Sequence, residues 1–68
     1  MTSAVVPLSE IDRCIAEAHR ELGVVRSAFA RAPSGAAAVA CEAAEARVNE
    51  LLDARLDRMT AVRRARAA

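Results

Sequence analysis

The apolar residues in the first half of the chain fall on one helical stripe. Leu8, Ile11, Ile15, Ala18, Leu22, Val25, Phe29 and Ala32 follow one another at steps of three and four. That spacing keeps side chains on one side of a helix with 3.6 residues per turn. Glu10, Arg13, Glu17, Arg20, Ser27 and Arg31 take the opposite side. The pattern reads as about four heptads of a and d positions and predicts a helix over about 9–31. Ser9 is the expected N-cap, its hydroxyl accepting from the N–H of Asp12, whose carboxylate also suits the positive first turn. Gly23 lies on the polar side, where it costs about 1 kcal/mol relative to Ala without interrupting the stripe.

Ala32-Pro33-Ser34-Gly35 ends this helix, because proline disfavours the helical region for the residue before it and cannot donate to the ladder. Ser34 is placed to cap a second helix, predicted over about 35–65. It opens on an alanine block, with seven alanines among residues 36–46, which favours helix and lets a neighbouring backbone approach closely. Its seam reads Cys41, Glu45, Val48, Leu52, Arg55, Met59 and Val62, with Leu51 and Leu56 widening the stripe on either side. This broader pattern predicts packing against more than one neighbour. A connection of four residues (32–35) folds the two helices into an antiparallel hairpin. Residues facing each other then have numbers adding to about 67, which leaves helix 2 overhanging helix 1 from about Met59. The expected whole is one all-α domain over 1–68, with a flexible 1–7, a basic, frayed 63–68, and Val5 and Val6 able to fold over Met59 and Val62.

Composition shows how thin the core must be. Hydrophobic residues make up 54% of the 68, but 18 of them are alanine and Phe29 is the single aromatic. A chain this short buries roughly 60% of its unfolded surface against an ordering cost of about 1.5 kcal/mol per residue. Alanine releases little area from water, so self-association or docking on a larger protein is expected. Dimerisation into a four-helix bundle is the favoured form. On this reading the core seam is Leu8, Ile11, Ile15, Ala18, Leu22, Val25 and Phe29. The surface offered to a partner is Val48, Leu51, Leu52, Leu56, Met59 and Val62.

Ten Arg against nine acidic residues leave a formal net charge of +1, so the chain as a whole is no polycation. No run approaches the ~18 uninterrupted apolar residues of a membrane helix, and no membrane role is expected. The N-terminus carries no basic region ahead of an apolar stretch, so a secretory signal is not expected either. A cytoplasmic protein with reduced thiols follows.

Residues able to carry chemistry are few. Cys14 and Cys41 lie about 18 Å apart along a hairpin axis, beyond the ~7 Å that a disulfide spans between Cα atoms. They read as small, partly buried apolar residues. His19 flanks the seam near the level of Glu21 and Glu45, but Glu17-Ala18-His19 is an i,i+2 spacing. It sends the two side chains to different faces, unlike the Glu-x-x-His of carboxylate-bundle metal sites. There is no Ser-His-Asp set, glycine-rich phosphate loop or Cys-x-x-Cys pair. The expectation is therefore non-catalytic, with no cofactor and no metal.

The two charge blocks of helix 2 are more informative. Arg55, Arg58, Arg63, Arg64 and Arg66, against Asp57 alone, make the last fourteen residues net +4. They are candidate nucleic-acid contacts, since guanidinium forks suit phosphates, yet no aromatic residue stands nearby to stack a base. Basic residues at a helix C-terminus also complement the macrodipole. Upstream, Glu42, Glu45, Glu50 and Asp53 outweigh Arg47. In an antiparallel dimer this acidic middle meets a neighbour's arginines, which sets orientation and register. In shape alone the hairpin resembles small RNA-binding helical hairpins that dimerise into four-helix bundles. It is far less basic than small ribosomal hairpins. The function expected is a protein–protein interaction module (an adaptor, small regulatory subunit or assembly factor), with nucleic-acid association as the alternative and a metal or redox bundle as a weaker one.

Overall fold

The computed structural model describes residues 7–67. They form two helices, α1 over Leu8–Arg31 and α2 over Gly35–Ala67, packed side by side in antiparallel order. Val5 and Val6 lie outside the described residues. The hairpin is 52 Å long and 22 by 15 Å across, with a radius of gyration of 15.8 Å. A compact chain of this length would have one of about 11 Å. The molecule is a rod two helices wide.

α1 starts two residues before the helix start that Ser9 would cap. Pro7, at φ −65° and ψ 152°, presents its carbonyl to the N–H groups of Glu10 and Ile11, both at 3.1 Å. Proline fixes φ near the helical value and has no N–H to leave unmet, so the ladder begins there and the cap expected at Ser9 is not made. The other end follows the sequence closely. Ala32 closes α1 by donating to the Ala28 carbonyl at 2.9 Å, and its φ of −144° turns the chain out of the helix before Pro33. Ser34 caps α2: its Oγ accepts from the N–H of Ala37 at 3.0 Å, while its carbonyl takes the N–H of Ala38. Helix continues through Arg63, Arg64 and Arg66 to Ala67, slightly past the expected end near 65. The missing acids do not prevent this, because basic residues in a last turn are favoured by the helix dipole.

The helices pack through a short central core. Ala18, Leu22 and Val48 are buried together, with Val25, Ala44 and Leu51 against them. Ile11 is buried nearer the N-terminus of α1. Ala18 is small enough for α2 to come close, and that approach covers Val48. Pairs between the two helices fix the register: Asp12 with Arg55, Val25 with Cys41, and Arg26 with Glu45. Their numbers add to 67, 66 and 71, close to the sum the turn position implies.

Two features of the seam differ from the sequence expectation. On α2 the face turned to α1 carries Cys41, Ala44, Val48, Leu51, Arg55, Met59 and Val62, all buried or half-buried. Ala44 and Leu51 replace the expected Glu45 and Leu52. The rotation keeps the Glu45 carboxylate in water, since burying it unpaired would be costly. Near the turn, Phe29 is 37% exposed instead of buried. Its level on α2 is held by Ala37 and Ala38, whose methyl groups are too short to cover a phenyl ring.

Candidate interaction surface

Only Ile11, Ala18, Leu22 and Val48 are buried among the described residues, and no larger side chain is fully enclosed. Leu52 is 44% exposed and Leu56 63%. They sit one turn apart on the flank of α2 that the rotated seam leaves open. Met59 and Val62 are half-buried near the start of α1, where with Leu8, Arg63 and Arg66 they line a cleft of about 310 Å³. Of the six residues expected to face a partner, Val48 and Leu51 thus belong to the intrachain core. The closeness of α1 and α2 at Ala18 takes them up. Leu52 and Leu56 stay in solvent, with Met59 and Val62 partly so.

The open flank has a polar border. A groove of about 440 Å³ runs between the helices, with Leu22, Val48 and Leu52 along it and His19, Arg26, Glu45 and Asn49 at its edges. The Arg26 guanidinium donates to Glu45 at 3.0 Å across this groove. Further along the hairpin, Arg55 Nε donates to Asp12 at 2.6 Å and its Nη1 approaches Met59 Sδ at 3.0 Å. Arg55 is thus paired within the chain, because the seam brings it over Asp12. Arg58 is half-buried, while Arg63, Arg64 and Arg66 are exposed. The three ion pairs found among the described residues involve none of these four.

Cys14 and Cys41 are unbridged and half-buried, and the Cys41 thiol donates to the Val25 carbonyl at 3.5 Å. His19 is exposed and shares the groove edge with Glu45. Among the described residues no group of three His, Cys, Asp or Glu side chains stands close enough to hold a metal ion. No helix of these residues is long and apolar enough to cross a membrane. Compared with known protein families, curated proteins and solved structures, the chain matches none.

The signal for the surface was present in the sequence as the breadth of the α2 pattern. Apolar residues spread around that helix instead of gathering on one side, so the pattern does not single out one buried face. Sequence alone could not divide the stripe between intrachain and open faces. That division depends on which small residue lets the helices close.

Proposed function

We propose that this chain is a non-catalytic protein–protein interaction module that completes its core by assembling with another chain, most simply as two hairpins in a four-helix bundle. The observation that carries this reading is the surface left over. The chain exposes 5150 Å², whereas a compact monomer of 7.2 kDa would expose about 4100 Å². The surplus of roughly 1000 Å² matches what one subunit contributes to an ordinary protein interface, about 800 Å². Leu52 and Leu56 are among the apolar side chains left exposed, and a thin core gains most from covering them. An adaptor, a small regulatory subunit or an assembly factor are the roles such a module serves. The reading includes a cytoplasmic location, which two unbridged thiols fit.

Native mass spectrometry and sedimentation equilibrium in reducing buffer test it. The expected species is twice the 7.2 kDa chain, or the chain with a co-purifying protein. A monomer at every concentration that retains full helicity and brings down no protein overturns the reading.

A second reading rests on Arg63, Arg64 and Arg66, exposed on the last turns of α2 and outside every ion pair found among the described residues. Such a cluster suits phosphate oxygens. It predicts oligonucleotide binding that weakens steeply with salt and that loses salt sensitivity when all three become Ala. Binding indifferent to those replacements removes it.

A further inference from the structure

The open flank of α2 is self-complementary. Glu45, Leu52, Leu56 and Arg63 are spaced seven, four and seven residues apart. At about 100° per residue these steps hold all four within about 40° of one line along the helix. The spacing reads the same in either direction about Ala54, but its ends carry opposite charge. Leu52 and Leu56 are well exposed, and Glu45 and Arg63 are exposed too. We propose that a second copy of this chain docks here, α2 against α2 in antiparallel order centred on Ala54. Leu52 then meets Leu56 of the second copy, and Glu45 meets Arg63 of the second copy. The inference rests on self-association as the functional reading and assigns its surface and register.

The charge pattern and the exposed area both fit this occupant, and symmetry doubles each contact. A two-fold axis makes every contact twice, so four residues give two leucine pairs and two ion pairs. The charge pattern allows only antiparallel order, because a parallel pair would set Glu45 beside Glu45 and Arg63 beside Arg63. The surplus area is also what one partner in a dimer buries. Arg26 already holds one Glu45 oxygen at 3.0 Å. That contact fixes the carboxylate at the edge of the groove and leaves it room to accept from a second guanidinium, so each end becomes one acid between two arginines. The other strongly exposed aliphatic side chains offer no such pattern. Val24 sits among Arg20, Ser27 and Arg31, and Val39 lies half a turn around α2 from Val48.

Charge reversal tests the register. Arg63→Glu sets acid against acid at both ends and leaves the Arg26–Glu45 pair and the buried core untouched. Each of the two end attractions becomes a repulsion, so the dimer dissociation constant measured by sedimentation equilibrium should rise roughly thirtyfold. Glu45→Arg combined with Arg63→Glu again leaves one acid between two arginines and should bring it back to within about threefold of the original. Leu56→Glu should give monomer and Val39→Glu should not, with circular dichroism confirming that each variant is helical. A dimer unmoved by both Arg63→Glu and Leu56→Glu overturns this surface while self-association stands. Weakening by Arg63→Glu that the double reversal does not relieve overturns the Glu45–Arg63 pairing. Original protein that is monomeric throughout overturns self-association and this surface together.

Discussion

Leu22→Ala measures the packing on which the hairpin depends. Leu22 is 6% exposed and lies between Ala18 and Val48 at the one level where both helices contribute buried side chains. Truncating a buried leucine costs the transfer of its lost atoms plus the cavity left behind, about 2–5 kcal/mol in well-packed cores. The lower half of that range applies here, because the groove beside Leu22 is open and water or a shift of α1 can fill part of the space. The expected loss is about 2–3 kcal/mol. A domain of this size has a total stability on the order of 3–10 kcal/mol, so the variant should retain helix at low temperature and unfold well below the original. At 4–8 °C per kcal/mol the midpoint should fall by roughly 10–20 °C. With Trp and Tyr absent, far-ultraviolet circular dichroism is the suitable probe, at several protein concentrations to separate folding from assembly. Val24→Ala is the matched control: Val24 is 67% exposed, and alanine's better helix propensity should leave stability equal or slightly raised. If Leu22→Ala costs less than about 1 kcal/mol, or no more than the control, the core is not where the structure places it. Leu22→Asp goes further by putting a carboxylate in that core, and should abolish the folded state.

Other substitutions probe separate parts of the molecule. Gly23→Ala should stabilise by about 0.5–1 kcal/mol, because a Cβ at this helical position meets nothing within 4 Å and glycine is a poor helix former; a loss in thermal unfolding would show a close approach at that site. Ser34→Ala removes the one side-chain cap of α2 and should cost about 1 kcal/mol in denaturant unfolding, whereas Ser9→Ala, which touches no cap, should cost nothing measurable. A double-mutant cycle on Asp12 and Arg55 should give a coupling of about 0.2–1 kcal/mol that shrinks as salt is added; coupling unaffected by salt would show that the pair is shielded from water. Mild oxidation of dilute protein should yield no intrachain disulfide between Cys14 and Cys41, checked by intact mass and non-reducing electrophoresis, because the helix register separates them.

The elements were readable from local chemistry. The three-and-four spacing of α1, Pro33 as its stop and Ser34 as the next cap each act within a few residues, and each stands where the sequence puts it. The start of α1 was misread because Ser9 is a good cap in general, while Pro7 provides a carbonyl and a fixed φ two residues earlier. The faces of α2 were harder. Its apolar residues surround the helix, so pattern alone leaves Leu51 and Leu52 equivalent; the contact of Ala18 with Val48 chooses Leu51. Phe29 shows the same limit, since its place on the α1 stripe says nothing about the alanines opposite. Glu45 could be placed near the level of Glu21 and His19 from the turn position, but its pairing with Arg26, about a turn away, needed the structure.

With four buried side chains among the described residues, the proposed assembly would carry much of the chain's stability. Any partner that binds only the folded hairpin, at a hundred times its dissociation constant, adds about 2.7 kcal/mol to stability, as much as Leu22 is expected to contribute. Without it, the open population rises by the same factor of about a hundred, and proteolysis that samples open chains rises with it. On the proposed assembly, chains that stay unpaired are the ones exposed to proteolysis, so the thin core would tie survival to pairing.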